Sequence, residues 1–140
     1  MRSNAAETLS VYKNKPFARF AKKAKITDAD LWTAALQANE GIIDADLGGG
    51  VIKQRIARRG EGKSGGSRRI ILFRKGDRAV YVFGFEKKNM ANISAIDLIS
   101  FREYAAIYLA LTHIEMDELV VKGTLHRVVA PEENVNDQEI

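Results

Sequence analysis

The sequence contains no cysteine among its 140 residues, and only two prolines and two histidines. The missing cysteine excludes disulfide frameworks, thiolate zinc sites and cysteine nucleophiles, and it fits a reducing compartment. No apolar run approaches the roughly 20 residues that a membrane-spanning helix requires. The N-terminal residues MRSNAAETLS lack the apolar core of a secretory signal. We therefore expect a cytoplasmic protein with no membrane segment.

Acidic residues are scarce in the middle of the chain. Residues 51–75 contain nine lysines and arginines against a single acid, Glu61, whereas residues 130–140 contain four acids and no base. The formal net charge of the whole chain is +4. This asymmetry predicts a core that binds a polyanion, followed by an acidic tail.

The hydrophobic residues, 46% of the chain, are sufficient for one domain with its own core. Helical spacing after Pro16, and a capping box at Thr27 and Asp30, predict two helices in the N-terminal third. The period then changes to that of strands in VIKQRIA, RRIILF and AVYVFGF. Hairpins joining these three runs would make an antiparallel sheet, to which short strands beginning at Leu9 and Leu125 could add.

Two further helices are expected near the C-terminus, because Ser94 with Asp97 and Thr112 with Glu115 have the spacing of capping boxes. The first of these helices should turn most of its apolar residues inward: Ile96, Leu98, Ile99, Phe101, Ala105, Tyr108 and Leu109. The predicted fold class is α+β, with two N-terminal helices packed on a small twisted antiparallel sheet and with C-terminal helices. We expect one domain over residues 9–129, between a flexible N-terminus of residues 1–8 and an acidic, disordered tail of residues 130–140.

The stretch ARRGEGKSGG, residues 57–66, satisfies a permissive form of the phosphate-loop pattern from Ala57 to Ser64. A true phosphate loop enters a helix whose N-terminus faces the anion. Here Gly65 and Gly66 lead into the strand-like run RRIILF instead. The stretch is therefore predicted to be a hairpin tip between two basic strands, with no nucleotide cofactor. A solvated turn without a binding role is the alternative.

Three basic residues beside this hairpin could share one face of the sheet. Lys53 and Arg55 are two residues apart on a strand, so their side chains point the same way, and Arg68 begins the next strand. Three cations converging on one face would bind phosphate and could stabilise the charge that develops on phosphorus during transfer.

Two segments, GGGVIKQRIARRGEGKSGGSRRIILF and YVFGFEKKNMANIS, together resemble the RelE-type toxins of bacterial toxin–antitoxin modules, within the RelE/ParE superfamily. They are most similar to the HigB-like branch, through the Lys-x-Arg strand, the glycine-rich hairpin and the Lys-Asn segment. The resemblance covers roughly residues 9–122. It implies a small metal-independent endoribonuclease without cofactors, which cuts mRNA, usually at the ribosome, and which a cognate antitoxin silences.

The resemblance assigns site residues one by one. Lys53 and Arg55 match the basic strand pair, and Arg68 matches the arginine after the paired glycines. Ser67 and Ser94 stand where relatives often carry an aromatic residue and a tyrosine, so the base-stacking contact and the general base stay open. The catalytic candidates are Lys53, Arg55, Arg68 and Lys88, and the RNA-binding candidates are Arg58, Arg59, Lys63, Arg69, Lys87 and Asn89.

The chemistry needs a base for the 2′-hydroxyl, charge stabilisation on phosphate and an acid for the leaving oxygen. A lysine can serve as base when neighbouring like charges favour its neutral form, which makes Lys53 the candidate. Arginine does not readily lose its proton, so Arg55 and Arg68 would stabilise the phosphate. Lys88 would be the acid or a second phosphate clamp.

Other interpretations stay open. The chain could be a non-enzymatic ParE-like toxin that inhibits a topoisomerase, or a basic RNA-binding module without catalysis. Asp44 and Asp46 could form a metal pair, but acids before a glycine run are more typical of turns. Several remaining side chains are expected in the core or on the surface rather than in the site: Trp32, Tyr81, Phe85, His113 and His126.

Overall fold

The computed structural model of the chain describes residues 9–56, 66–88 and 92–131. Within these residues there are six strands and four helices. The strands are β1 (Ser10–Asn14), β2 (Ala45–Gly48), β3 (Val51–Ile56), β4 (Ser67–Arg74), β5 (Arg78–Glu86) and β6 (Leu125–Arg127). The helices are α1 (Lys15–Ala24), α2 (Asp28–Asn39), α3 (Ala95–Tyr108) and α4 (His113–Val121). The α+β class predicted from the sequence is confirmed.

Each of the four helices begins beside a side chain that accepts a hydrogen bond from a backbone N–H three residues further along. Such caps satisfy N–H groups that have no partner inside the helix. Thr27, Ser94 and Thr112 cap α2, α3 and α4 as predicted, and Asn14 caps α1. None of the helices in the described ranges is long and apolar enough to cross a membrane.

The strands form one mixed sheet in the order β2–β3–β4–β5–β1–β6. The three central strands are antiparallel as predicted. The prediction of a wholly antiparallel sheet is wrong, because β1 runs parallel to β5, with Val11 opposite Ala79. Val11 and Tyr12 are buried in the cores on opposite faces of the sheet, and a strand buried on both faces lies between others rather than at an edge. The alternation of side chains along a strand does not reveal which other strand it will pair with, or in which direction.

Helices cover both faces of this sheet. On one side, the α1/α2 face, Phe17 and Leu31 pack against Tyr81. On the other side, the α3/α4 face, Phe101 and Met116 pack against the strands. Because both faces are covered by helices, a polar site can form on the sheet only towards the ends of the strands.

The apolar pattern of α3 differs from the prediction. Phe101 and Ala105 are buried as expected, but Ile96 and Ile99 are 75% and 55% exposed. An α-helix turns once in about 3.6 residues, so Ile96 lies on the side of α3 opposite Ala105. The two isoleucines are exceptions among the seven residues expected mostly inward, because α3 is apolar around most of its circumference and only one side contacts the sheet.

Candidate functional site

Strand β3 places its two basic side chains on the α3/α4 face. Val51 belongs to the core on that face, and side chains alternate along a strand, so Lys53 and Arg55 point the same way. Gln54 points to the α1/α2 face, where its Nε2 donates a hydrogen bond to the carbonyl oxygen of Ala34 at 3.1 Å.

The register between β3 and β4 adds a third cation. Arg68 lies directly opposite Arg55, and paired residues of an antiparallel sheet point to the same face. Lys53 lies opposite Ile70, whose side chain is in the core on the α3/α4 face. The structure thus places Lys53, Arg55 and Arg68 on one face, and we call these three residues the cation cluster.

Arg68 is the most buried member of the cation cluster. It is 5% exposed, and its Nη1 is buried without a hydrogen-bond partner. A buried donor left unpaired costs free energy, which an incoming anion can recover by accepting its hydrogen bond. The partly exposed side chains of Lys53 and Arg55 supply further charge. This combination suits a phosphate oxygen, because charge-assisted hydrogen bonds from guanidinium groups are among the stronger ones.

A carboxylate, Asp44, lies among these cations. Its Oδ2 is 3.7 Å from Lys53 Nζ, and its Oδ1 is 3.8 Å from Arg55 Nη2, so both contacts are ion pairs longer than a hydrogen bond. Asp44 just precedes β2, an edge strand that the sequence did not predict and that pairs with β3. The expected turn-forming role fits Asp46, whose Oδ1 accepts a hydrogen bond from Gly48 N–H at 2.9 Å. Asp44 is therefore a site residue that the sequence pattern did not reveal.

Lys87 and Lys88 occupy the turn directly after β5, and both are exposed. The backbone N–H of Lys87 donates to the carbonyl oxygen of Gly66 at 3.5 Å, just before β4 begins. Arg68 is the second residue of β4, so the turn and the cation cluster lie at the same end of the sheet. The four catalytic candidates are therefore neighbours in this end region.

Arg69 is separated from the other candidates. It follows Arg68 in β4, so it points to the α1/α2 face, where it is 1% exposed. Burial lowers the pKa of Arg69, although the Tyr81 hydroxyl and the charge of Asp30 partly oppose this effect. Because Arg69 faces away from the cation cluster, the two arginines cannot contact one phosphate together, and a contact of Arg69 with RNA stays a prediction. The other predicted RNA contacts Arg58, Arg59, Lys63 and Asn89 lie outside the described residues.

A β-bulge turns aromatic side chains towards the cation cluster. The pairing of β4 and β5 shifts after Ile70, which leaves Val82 as an extra residue in β5. Beyond it, Phe83 packs on the α3/α4 face, and Phe85 lies opposite Arg68. Bulges commonly re-aim side chains in this way. Strict alternation assigns Phe83 to the opposite face, so the sequence analysis missed this residue.

One end of the mixed sheet thus carries an arginine with a buried, unpaired Nη1, together with two further cations and adjacent aromatic rings. The family model described as the RelE toxin of the RelE/RelB toxin–antitoxin system matches residues 9–128. The chain belongs to the RelE toxin family. A search of curated protein sequences found no significant match.

Membership of the RelE family gives this chain the role of a toxin and implies an antitoxin as its partner. The matched range spans all six strands and all four helices of the described residues. The cation cluster, Asp44 and Lys88 therefore belong to the toxin domain itself.

The two histidines of this RelE-family toxin lie away from the cation cluster. His113 Nε2 is 2.9 Å from Asp77 Oδ1, beside the turn between β4 and β5 at the opposite end of those strands. His126 is exposed on β6, opposite Lys13. Neither imidazole is placed to act on a group bound at the cation cluster.

Proposed function

We propose that this RelE-family toxin is a metal-independent endoribonuclease of the HigB-like type. It acts in the cytoplasm on mRNA bound to the ribosome, and its antitoxin covers the basic end of the sheet. The observation that carries the proposal is the cation cluster, in which the buried Nη1 of Arg68 lacks a partner beside Lys53 and Arg55. An RNA phosphate supplies the oxygen acceptors that this donor lacks.

In the proposed reaction, the 2′-oxygen of one nucleotide attacks the adjacent phosphorus. The bond from that oxygen to phosphorus forms while the bond from phosphorus to the 5′-oxygen breaks, which leaves a 2′,3′-cyclic phosphate and a free 5′-hydroxyl. Lys53 takes the proton from the 2′-hydroxyl, and Lys88 returns a proton to the leaving 5′-oxygen. Arg55 and Arg68 stabilise the charge on the phosphate oxygens in the transition state.

Asp44 fits this scheme as a positioning residue. Its two oxygens lie near Lys53 and Arg55, one oxygen to each cation, so the carboxylate holds the two side chains at a fixed separation.

A triple substitution of the cation cluster, Lys53→Ala with Arg55→Ala and Arg68→Ala, should lower the rate of RNA cleavage by at least about 100-fold, because the charge stabilisation on phosphate is lost. Growth arrest on induction should disappear with it. The measurements are mapping of transcript 5′ ends after induction and cleavage of mRNA on purified ribosomes.

A matched control removes three positive charges outside the cation cluster, at the exposed Lys22, Lys23 and Lys122. This variant should cleave RNA and arrest growth as the unmodified protein does. Because Arg68 is buried, circular dichroism and thermal melting must show that the triple variant folds, and Arg55→Ala alone supplies an exposed alternative. Growth arrest that survives in a folded triple variant would refute the site and favour a topoisomerase or another protein target.

A further inference from the structure

A cleft of about 490 Å³ opens between the end of β1, the first turn of α1 and one side of α3. Its floor is formed by Val82 and Phe83 at the bulge of β5. The remaining lining residues are Asn14, Lys15, Pro16, Tyr104, Tyr108 and Thr124.

Aromatic rings at the mouth of this cleft remain accessible. Tyr104 is 50% exposed, and its ring centroid lies 6.4 Å from that of Tyr108. Burial, together with the neighbouring Tyr104, raises the pKa of Tyr108, so its phenol stays protonated at neutral pH. Phe83 is partly buried on the floor. The cleft thus offers flat apolar surfaces and hydroxyl groups in one place.

Lys15 adds a positive charge to the rim. Its side chain is exposed, and it forms no ion pair with a carboxylate of the described residues. Aromatic faces next to an unpaired cation are the combination with which proteins bind single-stranded RNA, since the bases stack and the phosphates are neutralised.

Two aromatic residues of β5 lie between the floor of the cleft and the strand position of Arg68. The Phe83 ring is 5.9 Å from the Phe85 ring, and Phe85 lies opposite Arg68 in the sheet. Two residues along a strand span about 6.6 Å, so the floor of the cleft begins close to Arg68. A nucleotide adjoining one whose phosphate contacts Arg68 can therefore place its base in the cleft.

We propose that this cleft is a nucleobase subsite, in which Tyr104 and Phe83 stack with a base of the RNA strand held at the cation cluster. The proposal rests on the proposed function. It assigns the stacking role to α3 and to the bulge of β5, in a chain that has Ser67 and Ser94 where relatives often carry aromatic residues.

The test is a double-mutant cycle between protein and RNA. A non-cleavable oligoribonucleotide, with a 2′-deoxy sugar at the cleaved step, is prepared intact and with an abasic sugar at each neighbouring position. Loss of a stacked base costs roughly 1–3 kcal/mol, so Tyr104→Ala should weaken binding of the intact strand about 5- to 150-fold. Tyr104→Phe should stay within about twofold, because the ring is retained.

The cycle should show one abasic position at which Tyr104→Ala has no further effect, because the stacking partner is already absent. Ile107→Ala is the matched control, since Ile107 is exposed on the same helix but does not line the cleft. Equal weakening by Tyr104→Ala at every abasic position would overturn the subsite. If Tyr104→Ala weakens binding of the antitoxin and leaves binding of RNA unchanged, the subsite is also overturned, and the cleft is a protein-docking surface. If the unmodified toxin neither binds nor cleaves RNA, the proposed function fails as well, so the two failures are distinguishable.

Discussion

Adjacent arginines in β4 have opposite environments. Arg68 is buried beside two other cations at the end of the α3/α4 face, whereas Arg69 is buried on the α1/α2 face, where Asp30 and Tyr81 are the groups that act on its charge. Neighbouring residues of a strand point to opposite faces of the sheet. Which of the two arginines lies on the α3/α4 face depends on the register of β4 with β3. A basic pair in a strand therefore contributes one charge to the cation cluster here, and the other charge belongs to the core.

Asp44 allows a test at the scale of a single residue. Substitution Asp44→Asn removes a negative charge beside the cation cluster, so binding of non-cleavable RNA at low salt should become about fivefold tighter, equivalent to ~1 kcal/mol, the interaction of two unit charges about 4 Å apart in water. Cleavage of the bound RNA should be slower, because Lys53 and Arg55 lose the group that positions them. Fluorescence anisotropy and single-turnover cleavage measure the two effects.

Asp46→Asn is the matched control for this prediction, because Asp46 bonds only to the turn at Gly48 in the described structure. It should change neither binding nor cleavage. Weaker binding by Asp44→Asn would contradict the interpretation, since loss of a negative charge beside the cations should strengthen their attraction for phosphate.

At the scale of elements, Asp77 joins the turn between β4 and β5 to α4. Arg74 and Arg78 contact its Oδ2 at 2.7 and 2.6 Å, and His113 contacts its Oδ1. Burial alone would raise the pKa of Asp77, but the hydrogen bonds from these three side chains and the charge of Arg78 lower it to about 2. The contact fixes one end of the two central strands, opposite the cation cluster.

This pKa predicts how stability depends on pH. The pKa of Asp77 in the folded protein, about 2, is below its ordinary value of 3.8, so the folded state favours the ionised carboxylate. The stabilisation is complete above pH ~4 and is lost as the pH falls towards 2. Asp77→Asn should thus lower the free energy of unfolding at pH 6, and the difference from the unmodified protein should shrink below pH ~4.

Urea denaturation at several pH values measures this difference. Glu103→Gln is the control, because Glu103 is an exposed carboxylate of α3 that forms no ion pair within the described ranges. The role given to Asp77 would be contradicted if the free energies of unfolding of the Asp77→Asn variant and the unmodified protein differed by the same amount at pH 2.5 and pH 6.

At the scale of the whole molecule, three positive charges from two strands meet at one end of the sheet. Residues 51–75 contain nine basic residues and one acid, and the register brings Lys53, Arg55 and Arg68 together on one face. A polyanion bound there releases counterions, so RNA affinity should fall steeply with salt. A protein target would give a flatter dependence.

The salt dependence can be quantified for single-stranded RNA. Each neutralised phosphate contributes about −0.7 to the slope of log affinity against log salt, so the triple variant of the cation cluster should have a slope about 2 units shallower than the unmodified protein. The variant at Lys22, Lys23 and Lys122 should keep the original slope. Equal slopes for the two variants would show that RNA does not contact the cluster directly.

The sequence by itself determined the family and every described element except β2. Caps at Thr27, Ser94 and Thr112 and the alternation in VIKQRIA are local signals, because a helix start depends on neighbouring residues and a strand face on a two-residue period. The tertiary structure decided what depends on how strands pair. The parallel contact of β1 with β5, the bulge that turns Phe83 towards α3, and the approach of Asp44 to Lys53 are of this kind. The pattern within a single strand does not contain them, because each is set by the partner and the register of that strand.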